Sequence, residues 1–188
     1  MQSEDPTMSA EDSLRIITSM IAQVKGNLKQ NSFYFLLWGW VIALINMGVY
    51  LLLKFEVAHP YRIWLITIPA FILSIVYGYR QENRAGVTTH FDRLSAGIWI
   101  SFSVTIAIVI AFGKAVNWQI PALVLVIMAA PTLITGLLLR FTPLLVGGAA
   151  FWVGGILCFI IKGETQFLIS AIVIIIGYLL PGYLLQKR

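Results

Sequence analysis

An uncharged stretch of 21 residues, from Phe33 to Leu53, constrains the fold of this chain more than any other feature of its sequence. At about 1.5 Å per residue, a helix of that length spans the roughly 30 Å hydrocarbon core of a bilayer. Hydrophobic residues make up 59% of the chain and charged residues 11%, a balance outside the range of soluble domains. The sequence therefore predicts a membrane protein.

Five further apolar runs follow the first one, and polar connections separate them. None of the runs carries Asp, Glu, Lys, Arg or His, and each is long enough to cross a bilayer as a helix. We therefore predict an all-α, polytopic fold with a six-helix transmembrane bundle over residues 32–188. The predicted spans are about 33–53, 63–79, 96–112, 120–139, 142–161 and 167–185.

Residues 1–31 precede the first span and are too polar to cross a membrane. Residues 1–8 show no periodicity, which predicts a disordered start. From Ser9 onwards, apolar residues recur at spacings of three and four, which predicts an amphipathic helix along the cytoplasmic face of the membrane. The apolar stripe of this helix is the predicted docking face, and it consists of Leu14, Ile17, Ile21, Val24 and Leu28.

The docking face has three candidate partners, namely the bundle, the lipid headgroups and another protein. Lys25 and Lys29 lie beside the first span and suit anionic headgroups, at about 1 kcal/mol each. The same spacing fits a short coiled-coil seam, but Gly26 interrupts it. We therefore rank self-dimerisation below docking on the membrane surface or on the bundle, and a protein partner is the functional expectation added to either.

The basic residues indicate how the chain is oriented. Six spans place both termini on one side, and nine Lys and Arg residues fall on that side, against four on the other. Because basic residues concentrate in cytoplasmic segments, this asymmetry predicts a multi-pass protein of the cell (inner) membrane with both termini in the cytoplasm. The nine are Arg15, Lys25, Lys29, Arg80, Arg84, Arg93, Arg140, Lys187 and Arg188; the four are Lys54, Arg62, Lys114 and Lys162.

The absence of ionisable residues from the spans limits the chemistry of the chain. Proton relays and intramembrane hydrolases need such groups at membrane depth, so we expect neither a proton-coupled transporter nor an enzyme. The loop from 80 to 93 holds Glu82, His90 and Asp92, but their irregular spacing among arginines indicates a solvated cap. We therefore predict no catalytic residue, no metal site and no cofactor. The net charge of +5 comes from residues that flank the spans, which favours membrane lipids over nucleic acid as partners.

Polar and imino residues inside the spans form one part of a candidate intramembrane site. Asn46 lies near the middle of the first span, where its amide either bonds to a neighbouring helix or lines a solute cavity. Pro69, near the centre of the second span, and Pro131, inside the fourth, are expected to free carbonyls and to kink their helices. Such kinks serve static packing or a hinge.

Small residues of the fifth span form the other part of this candidate site. Gly147, Ala150 and Gly154 recur at spacings of three and four, so they share a stripe that lets another helix come close. That helix belongs either to the same chain or to a second copy. Trp152 lies between these residues, and we expect its indole N–H to need an acceptor inside the bundle.

The segment that joins the amphipathic helix to the first span is SLRIITSMIAQVKGNLKQNSFYFLLWGW. It resembles a group of small multi-spanning bacterial membrane proteins, without an assigned activity, in which an amphipathic segment leads into an aromatic WGW span. The resemblance covers about the first 50 residues and implies the topology of the chain.

Two functional classes follow from these observations. The first is a non-enzymatic regulatory or assembly component, whose N-terminal helix docks a protein partner or a second copy and whose bundle anchors it. The alternative is a small permease or lipid-binding protein for a neutral or amphipathic solute. A water-accessible cavity at Asn46 would favour the alternative, and a dry bundle would favour the first class.

The basic asymmetry generates a prediction about topology. Single cysteines introduced in the 80–95 loop or beside Arg188 should resist an impermeant thiol reagent in intact cells, because both positions are expected in the cytoplasm. Cysteines beside Glu56 and Glu164 should react. Labelling of the first pair and protection of the second would reverse the orientation.

Overall fold

The structure is a computed structural model, which describes the backbone of residues 10–85 and 90–187 and the side chains of residues 32–80 and 93–187. Within these ranges the chain forms helices and no strand. Six segments of the described chain are long and apolar enough to cross a membrane, which confirms the prediction of an all-α polytopic fold. They are Ser32–Lys54, Pro60–Arg80, Arg93–Ala111, Ile120–Leu138, Thr142–Ile160 and Thr165–Gln186.

Helical segments account for nearly all of the described backbone. The α-helices are α1 (Ala10–Lys54), α2 (Thr67–Ala85), α3 (His90–Ala111), α4 (Ile120–Leu138), α5 (Thr142–Ile160), α6 (Thr165–Ile174) and α7 (Leu180–Gln186). A 3₁₀ segment, Pro60–Ile66, precedes α2, and a π turn, Ile175–Leu179, joins α6 to α7. The second span is therefore part 3₁₀ and part α, and the sixth contains one widened turn.

Helix α1 is much longer than a membrane is thick. At about 1.5 Å per residue its 45 residues reach roughly twice the depth of a hydrocarbon core. The helix has no break where the polar segment meets the first span, although Gly26 costs a helix about 1 kcal/mol relative to alanine. Residues 10–31, called the arm below, thus continue the first span as one helix. The predicted division between residues 31 and 32 therefore falls inside α1.

The bundle has two ends that the loops define. The terminal end holds the start of the first span, the 139–141 turn and the end of α7. The distal end holds the connections 55–59, 112–119 and 161–164. Because the described spans are even in number, the start of the first span and the end of α7 lie at the same end of the bundle.

Glycines of α5 bring its backbone close to α4 on one face of the helix. A Cβ atom added at Gly148 would lie 2.5 Å from Leu133 Cγ, and one added at Gly155 would lie 2.5 Å from Val126 Cγ2. Contacts that short do not occur, so neither position accepts a side chain without movement of α4. Dispersion contacts between the two helices therefore depend on these glycines.

A neighbouring face of α5 makes the same kind of approach to the sixth span. A Cβ atom at Gly147 would lie 2.6 Å from the carbonyl oxygen of Gly177, and one at Gly154 would lie 2.6 Å from Val173 Cγ2. The stripe predicted from the sequence thus faces a helix of the same chain. Ala150, the third member of that stripe, is half-buried.

Helices α2 and α3 lie at the periphery of the bundle. In the most apolar part of each, 6% of the residues of the second span and 0% of the third are buried, against 56% in the sixth. Within the described chain, no Cα atom of α2 comes within 8 Å of one in α3, although the two helices are consecutive. Their large apolar side chains, such as Phe71 and Ile108, are exposed and suited to contact with lipid.

The glycine faces of α5 generate a stability prediction. Gly154→Leu and Gly155→Leu should each lower the stability in detergent by about 1–3 kcal/mol, because the added side chain overpacks a close helix contact. Ala149→Leu is the matched control, since Ala149 is exposed on the same helix, and Ile156→Ala should also have little effect at 57% exposure. Thermal unfolding of the four variants measures this. Equal melting temperatures for Gly154→Leu and Ile156→Ala would contradict it.

Candidate functional site

The base of the arm, residues 32–40, is fixed on one side by aromatic contacts to α2. The rings of Phe33 and Tyr77 stack with their centroids 3.7 Å apart. Tyr34 Oη donates to the carbonyl of Ser74 at 3.3 Å, and Trp38 Nε1 donates to the Ser74 hydroxyl at 3.1 Å. These polar contacts lie in a membrane span, where a donor without a partner is costly. They hold the first turns of the span against α2.

The other side of the arm base is fixed to α7. Ser32, which is buried, donates its hydroxyl to the carbonyl of Gly182 at 2.9 Å. Gly182 leaves room for Leu36, whose Cδ2 would lie 3.0 Å from an added Cβ. One turn further along, Trp40 Nε1 donates to Tyr183 Oη at 3.0 Å. The arm therefore leaves the membrane from a turn that both α2 and the end of the chain hold in place.

An aromatic cluster closes the interior of the bundle above the arm base. Its centre is Tyr178, whose ring makes edge-to-face contacts with Phe35 at 5.3 Å and Phe151 at 5.0 Å between centroids. Trp99 of α3 lies 6.4 Å from Tyr178 and 5.7 Å from Phe102. Such pairs contribute about 0.5–1.5 kcal/mol each beyond burial. The cluster thus connects α1, α3, α5 and the sixth span.

The π turn positions Tyr178 at the centre of this cluster. A π turn widens the helix by one residue and so changes the direction of the side chains on it. Its Gly177 faces the ring of Phe151, and an added Cβ would clash with that ring. The irregular backbone of the sixth span thus lies where Gly177, Tyr178 and Leu179 are buried, and turns of this kind are frequent at functional sites.

Hydroxyl groups near the cluster bond mainly to their own helix. Thr132 Oγ1 donates to the Met128 carbonyl at 2.7 Å and lies 3.4 Å from Tyr178 Oη. Thr135 Oγ1 donates to the carbonyl of Pro131 at 2.7 Å. Pro131 lies inside α4 and is buried, as the sequence places it. Since proline lacks an N–H, this part of α4 has one helical hydrogen bond fewer.

Asn46 is buried, with 4% of its surface exposed, but it does not act as a link between helices in the described structure. Its Nδ2 donates to the Ile42 carbonyl of the same helix at 2.8 Å. The expected bond to a neighbouring helix is therefore absent among the described contacts. The Nδ2 group is therefore bonded one turn away, within the first span itself.

Two expectations for the intramembrane site differ from the structure. Trp152 is 46% exposed and turns away from the bundle, because the small residues on either side of it occupy the buried faces of α5. Its indole is on the lipid-facing surface, so it does not need an acceptor inside. Pro69 is exposed and stands third in α2, directly after the 3₁₀ segment. Pro69 therefore stands where 3₁₀ geometry changes to α geometry, and not inside a regular α-helix as expected.

Several residues that fix the geometry have weak signals in the sequence. Gly148 and Gly155 repeat at a spacing of seven, like Gly147 and Gly154, and the doubled Gly-Gly pairs could have indicated two close faces of α5. Ser32 and Tyr178 have no such signal. The role of each of these two residues depends on contacts with segments that are distant in the sequence.

Some predicted residues lie outside what the structure describes. The side chains of the docking face, Leu14, Ile17, Ile21, Val24 and Leu28, belong to this group, as do those of Glu82, His90 and Asp92. Among the described side chains, no group of three or more His, Cys, Asp or Glu residues could hold a metal ion.

The fold and these contacts define an integral membrane protein of the multi-pass, six-span class. Comparisons with protein-family models, with curated proteins and with solved structures find no match to the chain.

The bond made by Asn46 generates a stability prediction. Asn46→Leu should change the free energy of unfolding by less than about 1 kcal/mol, because the amide and its partner belong to the same helix and an apolar residue fits the burial. Ile45→Ala, at the neighbouring and fully buried position, should cost about 2–5 kcal/mol and shows that the assay detects damage to α1. Both are measured by thermal unfolding in detergent. A loss at Asn46→Leu as large as that at Ile45→Ala would mean that the amide holds helices together.

Proposed function

We propose that this protein is a non-enzymatic regulatory or assembly component of a cell membrane, in which the arm docks a protein partner and the bundle anchors it. The observation that carries this proposal is the single helix α1, which extends the first span by the full length of the arm. A partner bound to the arm would therefore hold a rod that continues into the membrane.

The arm base supports a role in transmitting such binding. Ser32 bonds to Gly182 on one side, and Phe33 stacks on Tyr77 on the other. Because these contacts join α1 to α7 and α2, a displacement of the arm would act on both neighbours at once. Gly39 continues this arrangement deeper in the membrane, since an added Cβ would lie 2.8 Å from Leu179 Cδ2.

The proposed orientation places the arm in the cytoplasm. It is supported by the nine basic residues of the terminal end against the four of the distal end. The arm contributes three of the nine, Arg15, Lys25 and Lys29, and the two lysines, which lie nearest the first span, suit the anionic headgroups of the cytoplasmic leaflet.

The interior of the bundle supports a non-enzymatic role. The predicted spans carry no Asp, Glu, Lys, Arg or His, and the polar side chains of Asn46 and Thr135 bond to carbonyls of their own helices. A proton relay or a hydrolytic centre would need charged or unpartnered groups at this depth.

A small permease or lipid-binding protein for a neutral or amphipathic solute is the second candidate function. The π turn Ile175–Leu179 favours it, because irregular turns at membrane depth are where transporters bind solutes. Against it, Tyr178 on this turn is in contact with Phe35 and Phe151, which fill the space beside it.

The docking face provides the test of the proposed function. Ile17→Ser combined with Ile21→Ser removes two apolar side chains whose burial contributes about 1.5–3 kcal/mol each. The chain is extracted from its own membranes in a mild detergent, and its size on native electrophoresis is compared with that of the purified chain. We expect the wild-type chain in a larger assembly and the double variant at the size of the purified chain.

Ser19→Ala combined with Gln23→Ala is the matched control, because these residues are on the opposite face of the predicted amphipathic helix. This variant should remain in the larger assembly. If the wild-type chain already has the size of the purified chain, or if both double variants stay in the larger assembly, the arm does not dock a partner.

A further inference from the structure

A cleft opens at the distal end of the bundle, where connections between spans converge. Its volume is about 570 Å³, within the range of small-molecule sites. The end of α1, the turn before α4 and the connection between α5 and α6 form its wall. All of these segments lie at or just beyond the ends of spans, so the cleft is at the depth of the lipid headgroups.

Two opposite charges stand at the rim of this distal cleft. Lys162 and Glu164 are both exposed and line it, and neither forms an ion pair with another described residue. Gly163 separates them and has a φ of 92°, a conformation that glycine adopts readily. The rim thus offers one cationic and one anionic group, close in the chain and both free to bind a ligand.

Gln166 contributes a buried polar side chain to the wall of the cleft. Its surface is only 6% exposed, and it lines the cleft. Its side-chain amide makes no hydrogen bond to the described protein, and no fully buried polar atom among the described side chains is without a partner. The amide atoms of Gln166 therefore open into the cleft. A buried amide of this kind is satisfied by water or by a ligand.

The remaining lining is apolar and aromatic. Tyr61 and Phe167 lie across from each other with ring centroids 6.2 Å apart, and Leu53 continues this side towards the membrane. The ring of Trp118 is 64% exposed at the mouth of the cleft. Tyrosine and tryptophan at this depth belong to the interfacial belt. A ligand that fits both the polar wall at Gln166 and the apolar, aromatic wall has a polar end and an apolar end.

We propose that the distal cleft binds a zwitterionic phospholipid headgroup of the phosphoethanolamine type. Lys162 pairs with the phosphate and Glu164 accepts hydrogen bonds from the primary ammonium. The amide of Gln166 bonds to the glycerol and ester oxygens, and the acyl chains leave past Leu53 and Phe167 into the lipid. This inference does not depend on the proposed function of the arm, which is at the other end of the bundle.

The charge pair predicts an order of preference among lipids. A headgroup that carries only a phosphate anion and neutral hydroxyls leaves Glu164 without a cation and close to a like charge. A quaternary ammonium headgroup is zwitterionic but cannot donate hydrogen bonds to Glu164. Phosphatidylethanolamine should therefore bind more tightly than phosphatidylcholine, and phosphatidylcholine more tightly than phosphatidylglycerol.

Native mass spectrometry of the purified full chain in detergent tests the proposal, with the three lipids titrated at the same acyl-chain length. Lys162→Gln and Glu164→Gln should each weaken phosphatidylethanolamine binding by about tenfold, the loss expected for one hydrogen bond to a charged group. Glu164→Gln should also remove the preference over phosphatidylglycerol. Gln166→Leu should weaken the binding of all three lipids, because it removes the side-chain amide and keeps a side chain of similar volume.

Lys114→Gln and Glu56→Gln are the matched controls, since both residues are exposed at the distal end and neither lines the cleft. Both should bind the lipids as the wild-type chain does. Thermal unfolding without added lipid should be unchanged in the Lys162 and Glu164 variants, which separates loss of binding from loss of fold.

Soluble phosphoethanolamine distinguishes the two sources of the same headgroup. Phosphatidylethanolamine should bind at concentrations at least tenfold lower than soluble phosphoethanolamine, because its acyl chains also contact the apolar wall. Equal affinity for the soluble compound would overturn the lipid assignment. Equal binding of the three lipids by the wild-type chain, unchanged in Lys162→Gln and Glu164→Gln, would overturn the site itself.

Discussion

Lipid tails are as apolar as leucine, so the hydrophobic effect does not draw helices together inside a bilayer. Close backbone contact must supply the attraction, and in this protein α5 provides it on two faces. Gly148 and Gly155 admit side chains of α4, while Gly147 and Gly154 admit the sixth span, including the carbonyl of Gly177. The positions of α4 and of the sixth span both depend on α5, and the rest of the bundle is assembled around these three.

Aromatic contacts join the remaining helices to the three that the glycines bring together. Tyr178 on the π turn joins the first span through Phe35, and Trp99 brings α3 to the same cluster. The result is an inner group of four spans with α2 and α3 at its edge. The first span belongs to the inner group, because α1 packs against the sixth span through Gly39 and Ser32. The inner group ends at the arm base on one side, and short connections between the spans close it at the distal end.

The distal cleft and the arm base show how differently the two ends are built. At the terminal end, Ser32 and Trp38 have their polar groups bonded to other helices. At the distal end, Lys162, Glu164 and Gln166 have polar groups that no described residue satisfies. Since unpaired groups in a headgroup region meet lipid or water, the distal end is suited to ligands and the terminal end to holding the arm.

The sequence by itself determined the six spans and their approximate limits, because a span requires only a local run of apolar residues of sufficient length. It also indicated the stripe of Gly147 and Gly154, since helical periodicity is local as well. Tertiary structure alone decided where Trp152 and Pro69 stand, that Asn46 bonds within its own helix, and that Gln166 opens into a cleft. The physical reason is that helices in lipid are apolar on every side, so composition does not distinguish the face that meets another helix from the face that meets lipid.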